Sequence, residues 1–335
     1  MSHQSPIRAM HKVSRPASHP ASDTERFTFL LLDGFTHLAL AAALEPMRIA
    51  NVALGRTAYA WRIVSTTGAP VSCSHGLTVL VDEAFGPLAR GEMLIVVGGP
   101  ATARRDEPGL SGALRREAAH GVRLGALCLG VHALARAGLL DGEECAVHWD
   151  FVEGFAEAFP EVRISCGAFS LGRRLTAAGG AVASDLMLHL ISQSHGSDLA
   201  ARVADLLVCN GVRSPQSQQK VSVQSRYGMR NPRLVKVLKS MEANLETPLT
   251  AQEIADIAAM SVRQTERLFA RYLKTTPMNF YMKMRLEKAH RLLSQTELSV
   301  TEVALACGYK SSSHFTKNFR AAFAVTPRAM RVVAG

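Results

Sequence analysis

Cys128 has the most chemical potential of any side chain in this sequence. It closes the apolar run Leu124-Gly125-Ala126-Leu127-Cys128, and Leu129-Gly130 lead from it into a helical pattern. A sharp turn from strand to helix exposes the side chain at its apex and aims helix N–H groups at it. A cysteine at a helix N-terminus can ionise below its ordinary pKa, and a thiolate beside a histidine is a nucleophile. His148 follows 20 residues later, in Ala146-Val147-His148-Trp149. Three readings of Cys128 stand open: a small residue lining a pocket, a redox- or electrophile-sensitive thiol, or a nucleophile. His148 is correspondingly a polar pocket wall or a general base. Gly98-Gly99-Pro100 ends another apolar run in a tight turn.

Such residues need a scaffold that gathers strand ends, and the hydropathy pattern supplies one. Strands are expected at Phe27–Leu32, Trp61–Thr66, Leu77–Val81, Met93–Val97 and Val122–Leu127. Helices are expected at Leu38–Asn51, Leu110–Ala119, Val131–Ala137 and Phe151–Phe159. The alternation predicts an α/β fold, a doubly wound parallel sheet covered on both faces by helices. Ligands bind such sheets at the carboxyl ends of the strands, where Gly98, Gly99, Cys128 and His148 all fall. Helices at Ala181–Gln193 and Ser197–Val208 close this region, with apolar faces that are either core or a dimer surface. Asp185 is a second polar pocket group or part of a first helical turn.

The C-terminal third says nearly the same thing twice. Leu249-Thr250-Ala251-Gln252-Glu253-Ile254-Ala255 returns 49 residues later as Leu298-Ser299-Val300-Thr301-Glu302-Val303-Ala304. Phe269, Leu273, Thr276 and Pro277 return at an offset of 50, as Phe319, Phe323, Thr326 and Pro327, so one residue is added near Gly308-Tyr309. A repeated supersecondary unit is the strongest organising signal a chain can carry. Each copy opens with a capping box, Thr250-x-x-Glu253 or Ser299-x-x-Glu302. Each then breaks at small residues, Ala259-Met260-Ser261 or Cys307-Gly308-Tyr309, before a second helix. The inward residues of that helix are expected to be Leu268, Phe269 and Tyr272 in one copy and Phe315, Phe319 and Phe323 in the other. Two helices joined by a short turn form a helix-turn-helix, whose second helix enters the DNA major groove. Between the copies, Phe280, Met284, Ala289, Leu292 and Leu293 recur with helical period. Some 18 residues at 1.5 Å each make a rod of roughly 27 Å. That suits two readers near successive major grooves, about 34 Å apart.

From about Arg233 to Arg331 the chain resembles the DNA-binding domain of the AraC/XylS family of transcription regulators, down to the terminal Phe319-x3-Phe323-x2-Thr326-Pro327 signature. Early residues of each recognition helix read bases in that family. By position the resemblance assigns this role to Arg263, Gln264 and Arg267, and to Ser312, Ser313, His314 and Lys317. Arginine suits guanine, glutamine suits adenine, and serine or histidine serves several bases. Arg271, Lys274 and Arg320 are better placed for phosphates, which set register without reading sequence.

The charge distribution points the same way. Residues 213–335 hold 20 Lys and Arg against 8 Asp and Glu, so the net charge of +10 lies entirely in this part of the chain. A basic block of this kind is the footprint of a polyanion, with affinity that falls steeply with salt. At 335 residues and 47% hydrophobic, the chain suits two globular domains. Its six cysteines include no Cys-x2-Cys pair, which argues against a zinc site or a disulfide framework and fits a reducing compartment. The longest apolar run, Leu38–Leu44, is too short to span a bilayer. Residues 1–25, rich in Ser, Pro and His, read as a disordered tail without the apolar core of a signal peptide. Residues 213–232 read as a linker between units at 26–212 and 233–335.

The elbow at Cys128, the glycine turn and the later histidine, with Leu139-Leu140-Asp141-Gly142, resemble the class I glutamine amidotransferase-like fold in its PfpI-like branch, a flavodoxin-like sheet, over roughly Phe27 to Cys209. In enzymes of that group an acid from the first helix region leans on the elbow thiol. Aligned on Leu44-Glu45-Pro46-Met47-Arg48, its position here is Ala39, a departure from the pattern. PfpI-like domains fused to AraC/XylS domains form a regulator subfamily, which the chain resembles along nearly its whole length. The resemblance implies a cytoplasmic, dimeric regulator, an activator working with RNA polymerase on operator DNA, that has kept the pocket and lost the chemistry. It requires no cofactor. Relatives respond to small nitrogenous metabolites such as arginine and the quaternary amines carnitine, choline and glycine betaine. The expected pocket is Gly98, Gly99, Cys128, Leu129, His148, Trp149 and Asp150. Trp149 and Asp150 suit an organic cation, through an indole face worth ~0.5–2 kcal/mol and a carboxylate, unless Trp149 simply packs in the core. The competing expectations are a cysteine-dependent amidohydrolase or deglycase-like enzyme, which needs Cys128 and His148 as catalysts, and a thiol redox-sensing regulator.

Overall fold

The computed structural model describes residues 24–165, 167–209, 213–219 and 231–334. Most of the expected tail, residues 220–230 of the expected linker, and Cys166 lie outside the described residues.

The first part of the chain winds a sheet from β1 (Glu25–Leu31), β2 (Tyr59–Ser65), β5 (Glu83–Ala84), β6 (Met93–Gly98), β7 (Arg123–Cys128), β10 (Phe169–Leu171) and β11 (Leu175–Ala177). Their spatial order is β10-β11-β7-β6-β1-β2-β5, with only the β10–β11 pair antiparallel. The short strands β3 (Val71–Ser72) and β4 (Thr78–Val79) form one ribbon, and β8 (Glu144–Ala146) and β9 (Arg163–Ser165) another. The central strands are largely apolar because both faces are buried, and the exception, Thr28 of β1, is bonded to Glu92 and Arg62. Phe27, Phe29, Leu31, Met93, Ile95 and Val97 face α1 (His37–Leu54) and α6 (Val182–His195). Leu30, Leu94 and Val96 face the side covered by α3 (Leu110–Ala119), α4 (Val131–Arg136) and α5 (Val152–Ala158). The helices α2 (Pro100–Arg104) and α7 (Ser197–Leu206) complete the unit.

Two expectations change here. The strand at Leu77–Val81 reduces to Thr78–Val79, paired with Val71–Ser72 outside the main sheet, because the alternating pattern belongs to a hairpin around Gly76 (φ 89°). His148 follows β8, which pairs with β9 and not with the main sheet. The three-residue strands between 163 and 177 carry too few apolar positions to announce themselves.

The second part is helical: α8 (Pro232–Ala243), α9 (Ala251–Ala258), α10 (Val262–Leu273), α11 (Pro277–Gln295), α12 (Val300–Ala306), α13 (Ser312–Phe323) and α14 (Pro327–Ala334). Both capping boxes form, with Thr250 N–H donating to Glu253 at 2.7 Å and Ser299 N–H to Glu302 at 2.6 Å. Buried Ile254 and Ala255 match Val303 and Ala304 at offset 49, and Thr265 and Phe269 match Phe315 and Phe319 at offset 50. The left-handed turn residues Ala259 (φ 50°) and Gly308 (φ 72°) still match at offset 49, whereas the N-caps Ser261 and Ser311 stand at offset 50, so the added residue lies between Tyr309 and Ser311.

There are two small cores, and α11 belongs to both. Tyr281 packs with Leu234, Leu238, Ile254 and Phe269, while Leu286, Ala289 and Leu293 pack with Val303, Phe315 and Phe319. The straddle explains a correction: Phe280 and Met284 are only half-buried, and Tyr281 and Leu286 take the inward positions. Likewise Tyr272 is 37% exposed, and Thr265 turns inward in its place, donating to Ser261 O at 3.1 Å.

Candidate functional site

The sheet unit presents its elbow as expected. Cys128 has φ 54°, a left-handed conformation that costs a non-glycine residue about 1–3 kcal/mol and persists only where the surroundings enforce it. They do so by contact between backbones. A Cβ on Gly98 would lie 2.4 Å from Gly130 N, and one on Gly99 would lie 1.9 Å from Gly34 O. Gly98 and Gly99 are thus required by packing, whatever else they do. The Cys128 thiol is buried, and its side-chain partner is the Thr36 hydroxyl at 3.3 Å. Ala39, in the next turn, is fully buried, so a hydroxyl rather than a carboxylate meets the sulfur. Burial raises the thiol pKa, against smaller opposing effects from the Thr36 hydroxyl and the Leu129 N–H. A protonated thiol is a poor nucleophile. At pH 7.5 iodoacetamide should label the exposed Cys209 and leave Cys128 unreacted, with Cys128 labelling accelerating only above the ordinary thiol range. Peptide mass spectrometry reads this directly, and equal labelling of both at pH 7.5 would refute it.

His148 stands over Gly179, where an added Cβ would be 3.4 Å from the ring. Gly179 lies two residues beyond Ala177, which pairs with Leu127, so the imidazole overlooks the same end of the sheet as Cys128. Burial lowers its pKa, and its Nδ1 accepts the Asp150 N–H at 3.2 Å. The Trp149 ring packs against it at 5.5 Å. Gln219 holds this loop, accepting from Trp149 N–H at 2.8 Å and donating to Val147 O and Gly167 O. Arg213 N–H donates to Asp185 at 2.9 Å, and Ala168 N–H to Pro215 O. Residues 213–219, linker by composition, are bonded to the sheet unit. Asp185 sits in the first turn of α6 and anchors that segment.

Asp150 faces elsewhere. Its carboxylate lies 3.6 Å from Arg291 Nε, and its carbonyl accepts Gln295 Nε2 at 3.0 Å. Glu153 adds a second contact to Arg291 at 3.9 Å. The loop that begins at His148 therefore ends on α11, the rod between the two readers. Arg291 and Gln295 carried no signal in the sequence, where each reads as helix surface.

The second site is a face. Arg263, Gln264, Arg267 and Arg271 on α10, and Ser312, Ser313, His314, Lys317 and Arg320 on α13, are all exposed, with Phe269 and Phe319 buried behind them. Ser312, Ser313, Lys317 and Arg320 line one open concavity. Gln264 is partly committed: its carbonyl accepts from Ser261 N–H at 2.9 Å, capping its own helix. The Arg271 guanidinium lies over the Tyr272 ring at 5.4 Å, and His314 Nε2 is 3.1 Å from Asn318 Nδ2. One residue the sequence did not flag ties rod to reader. Arg285 donates to Cys307 O and Gly308 O, each at 2.7 Å, and stacks on Tyr309 at 4.2 Å.

A basic pair of helix-turn-helix readers behind a mostly parallel flavodoxin-like sheet defines a DNA-binding protein. Comparison with known proteins makes the class specific. Residues 26–193 match the DJ-1/PfpI family and residues 254–332 a helix-turn-helix domain. The chain is 42% identical over 311 residues to the HTH-type transcriptional regulator CdhR of Pseudomonas aeruginosa, covering 92% of each chain. It is 34% identical over 317 residues to the HTH-type transcriptional regulator GlxA of Rhizobium meliloti, covering 94% of this chain and 98% of that one. A crystal structure of an AraC family transcriptional regulator from Pseudomonas putida is 31% identical, covering 55% of this chain and 99% of its own, with a TM-score of 0.49. The chain belongs to the AraC-type transcriptional regulators that carry a DJ-1/PfpI domain. Among the described residues no helix is long and apolar enough to cross a membrane.

Proposed function

We propose that the protein is a cytoplasmic, dimeric transcriptional activator that recruits RNA polymerase to an operator when a small nitrogenous metabolite occupies the elbow pocket, and that it catalyses no reaction there. The observation that carries this reading is the buried thiol of Cys128, met by the Thr36 hydroxyl, with Ala39 where a carboxylate would be needed to activate it. Gly98, Gly99, Cys128, Leu129, His148 and Trp149 line the metabolite site, and the half-exposed Trp149 ring suits a quaternary amine or a guanidinium. Asp150 takes a different part from that expected of it: bonded to His148 through its N–H and to Arg291 through its carboxylate, it relays occupancy to the rod. Arg263, Arg267, Ser312, Ser313, His314 and Lys317 read bases, with Gln264 limited to its amide NH2, and Arg271, Lys274 and Arg320 hold phosphates. Units at 26–212 and 233–335 divide these tasks.

A thermal-shift screen of amino acids and quaternary amines on the full chain tests the reading. A metabolite bound only to the folded form stabilises it by about 2.7 kcal/mol at a hundredfold excess over Kd, and operator DNA must change its affinity by the factor by which it changes DNA affinity. The Cys128→Ser variant should regulate normally. Turnover of amide or glyoxal-type substrates that disappears in Cys128→Ser would replace this reading with an enzyme, and loss of DNA control on oxidation of Cys128 alone would replace it with a redox switch.

A further inference from the structure

A cavity of about 160 Å3 lies where the sheet unit meets the rod, away from the elbow. Its walls are His132 and Arg136 of α4, Phe151, Phe155 and Phe159 in and around α5, and Gln295, the last residue of α11. The three phenyl rings stand edge-on around the His132 imidazole, the nearest with its centroid at 4.9 Å and the planes at 90°. His132 is only 5% exposed, and its imidazole is bonded to the Leu129 backbone one turn earlier. Gln295 Oε1, by contrast, is buried and unpartnered, although its Nε2 is fixed on Asp150 O. Buried polar atoms are almost always paired in folded proteins, so an orphaned acceptor on the wall of a cavity points to something that fills it.

The chemistry of the walls narrows the occupant. A cavity of about 150 Å3 takes one benzene ring, and the aromatic cage favours a ring over a chain. Gln295 Oε1 can only accept, so the occupant must donate. Arg136, held by Thr102 O and Ala103 O at 2.7 Å each, lays a guanidinium along one wall and disfavours a cation. Burial lowers the His132 pKa to about 4, so the imidazole is neutral at physiological pH.

We propose that this cavity is a second effector site, taking an uncharged or anionic single-ring aromatic molecule that bears an N–H or O–H donor, and that its occupancy sets how firmly the sheet unit holds the rod. The coupling is short. Gln295 belongs to the rod, Arg291 one turn earlier pairs with Asp150 and Glu153, and a Cβ on Gly154 would come within 3.1 Å of Gln295 Cβ. An occupant bonded to Gln295 favours the docked arrangement directly.

The test uses full-length protein, with phenol and benzamide as probes and toluene and benzylamine as controls of similar shape that lack the donor or carry a positive charge. Calorimetric titration should show phenol and benzamide binding at least tenfold more tightly than toluene or benzylamine. His132→Phe should weaken phenol binding at least tenfold without lowering Tm, because a bulkier apolar ring narrows the cavity within the aromatic cage while the Leu129 carbonyl keeps the backbone N–H of residue 132. Should His132→Phe fail to fold, Gln295→Met provides the test by phenol titration alone, since it also removes the bond to the Asp150 carbonyl. Saturating phenol should change operator affinity at least threefold in the wild type and not in the variant. The response of the variant to an elbow metabolite should be intact, which separates this site from the first. Equal affinity for toluene and phenol, unchanged phenol binding in the variant, or a crystal structure at saturating phenol with only water in the cavity would each overturn the proposal.

Discussion

Replacing Arg267 and Lys317 together with alanine should abolish specific operator binding while leaving the fold intact. Each is an exposed side chain on its own recognition helix, directed away from the buried Phe269 or Phe319. A good base contact contributes about 1–3 kcal/mol of discrimination. Because the two lie on separate helices in separate small cores, their losses should add. The combined fall in affinity is then roughly 30- to 10⁴-fold, enough at its upper end to bring specific binding close to the non-specific level. Neither side chain contributes to a core, so circular dichroism and Tm should be unchanged. A contrasting pair sharpens the result. Arg271→Ala with Arg320→Ala should weaken binding to all sequences alike and reduce the salt slope by about one for each phosphate no longer gripped. Electrophoretic mobility shifts across a salt series distinguish the two outcomes, and operator binding by R267A/K317A at wild-type strength would show that these helices do not read the bases.

Arg285→Met should destabilise the DNA-binding part by about 2–4 kcal/mol, the net of two charge-assisted hydrogen bonds and a cation–π contact against the packing that methionine retains. The guanidinium satisfies Cys307 O and Gly308 O at the second helix-turn-helix corner and covers Tyr309. Without it, two carbonyls lose their partner at the point where the chain bends through a left-handed glycine. Since this contact fixes the second reader on the rod, operator binding should fall even at temperatures where the protein remains folded. Arg285→Lys should rescue little, because one ammonium cannot reproduce a planar fork aimed at two adjacent carbonyls. Urea unfolding of the three proteins decides the matter: full rescue by lysine would mean that charge alone, and not the fork, secures the corner.

The second prediction could not have been made from the sequence, and the reason is general. Arg285 lies in mid-helix among Lys283, Glu287 and Lys288, a pattern that reads as a solvated face. Only the arrangement of α11 against the second corner gives it two carbonyls and a ring. Tyr281 and Leu286 were hidden similarly, because a helix that serves two cores moves its apolar stripe around its axis along its length. The short strands β8 to β11 were hidden because three residues are too few to show a period.

What the sequence determined by itself is what local rules govern. The capping boxes at Thr250 and Ser299, the inserted residue in the second turn, the buried β6 run and the glycine-flanked elbow at Cys128 all follow from backbone geometry and from the burial of neighbouring side chains. Those features were enough to establish the two readers and the doubly wound sheet. Tertiary structure alone decided the relation between the parts. It placed the Thr36 hydroxyl on the Cys128 sulfur across 92 residues, and Gln295 on the Asp150 carbonyl across 145. Contacts over such separations depend on how whole elements pack, and no spacing in the chain encodes them. The elements are written locally, whereas the contacts between sheet and rod exist only once they are assembled.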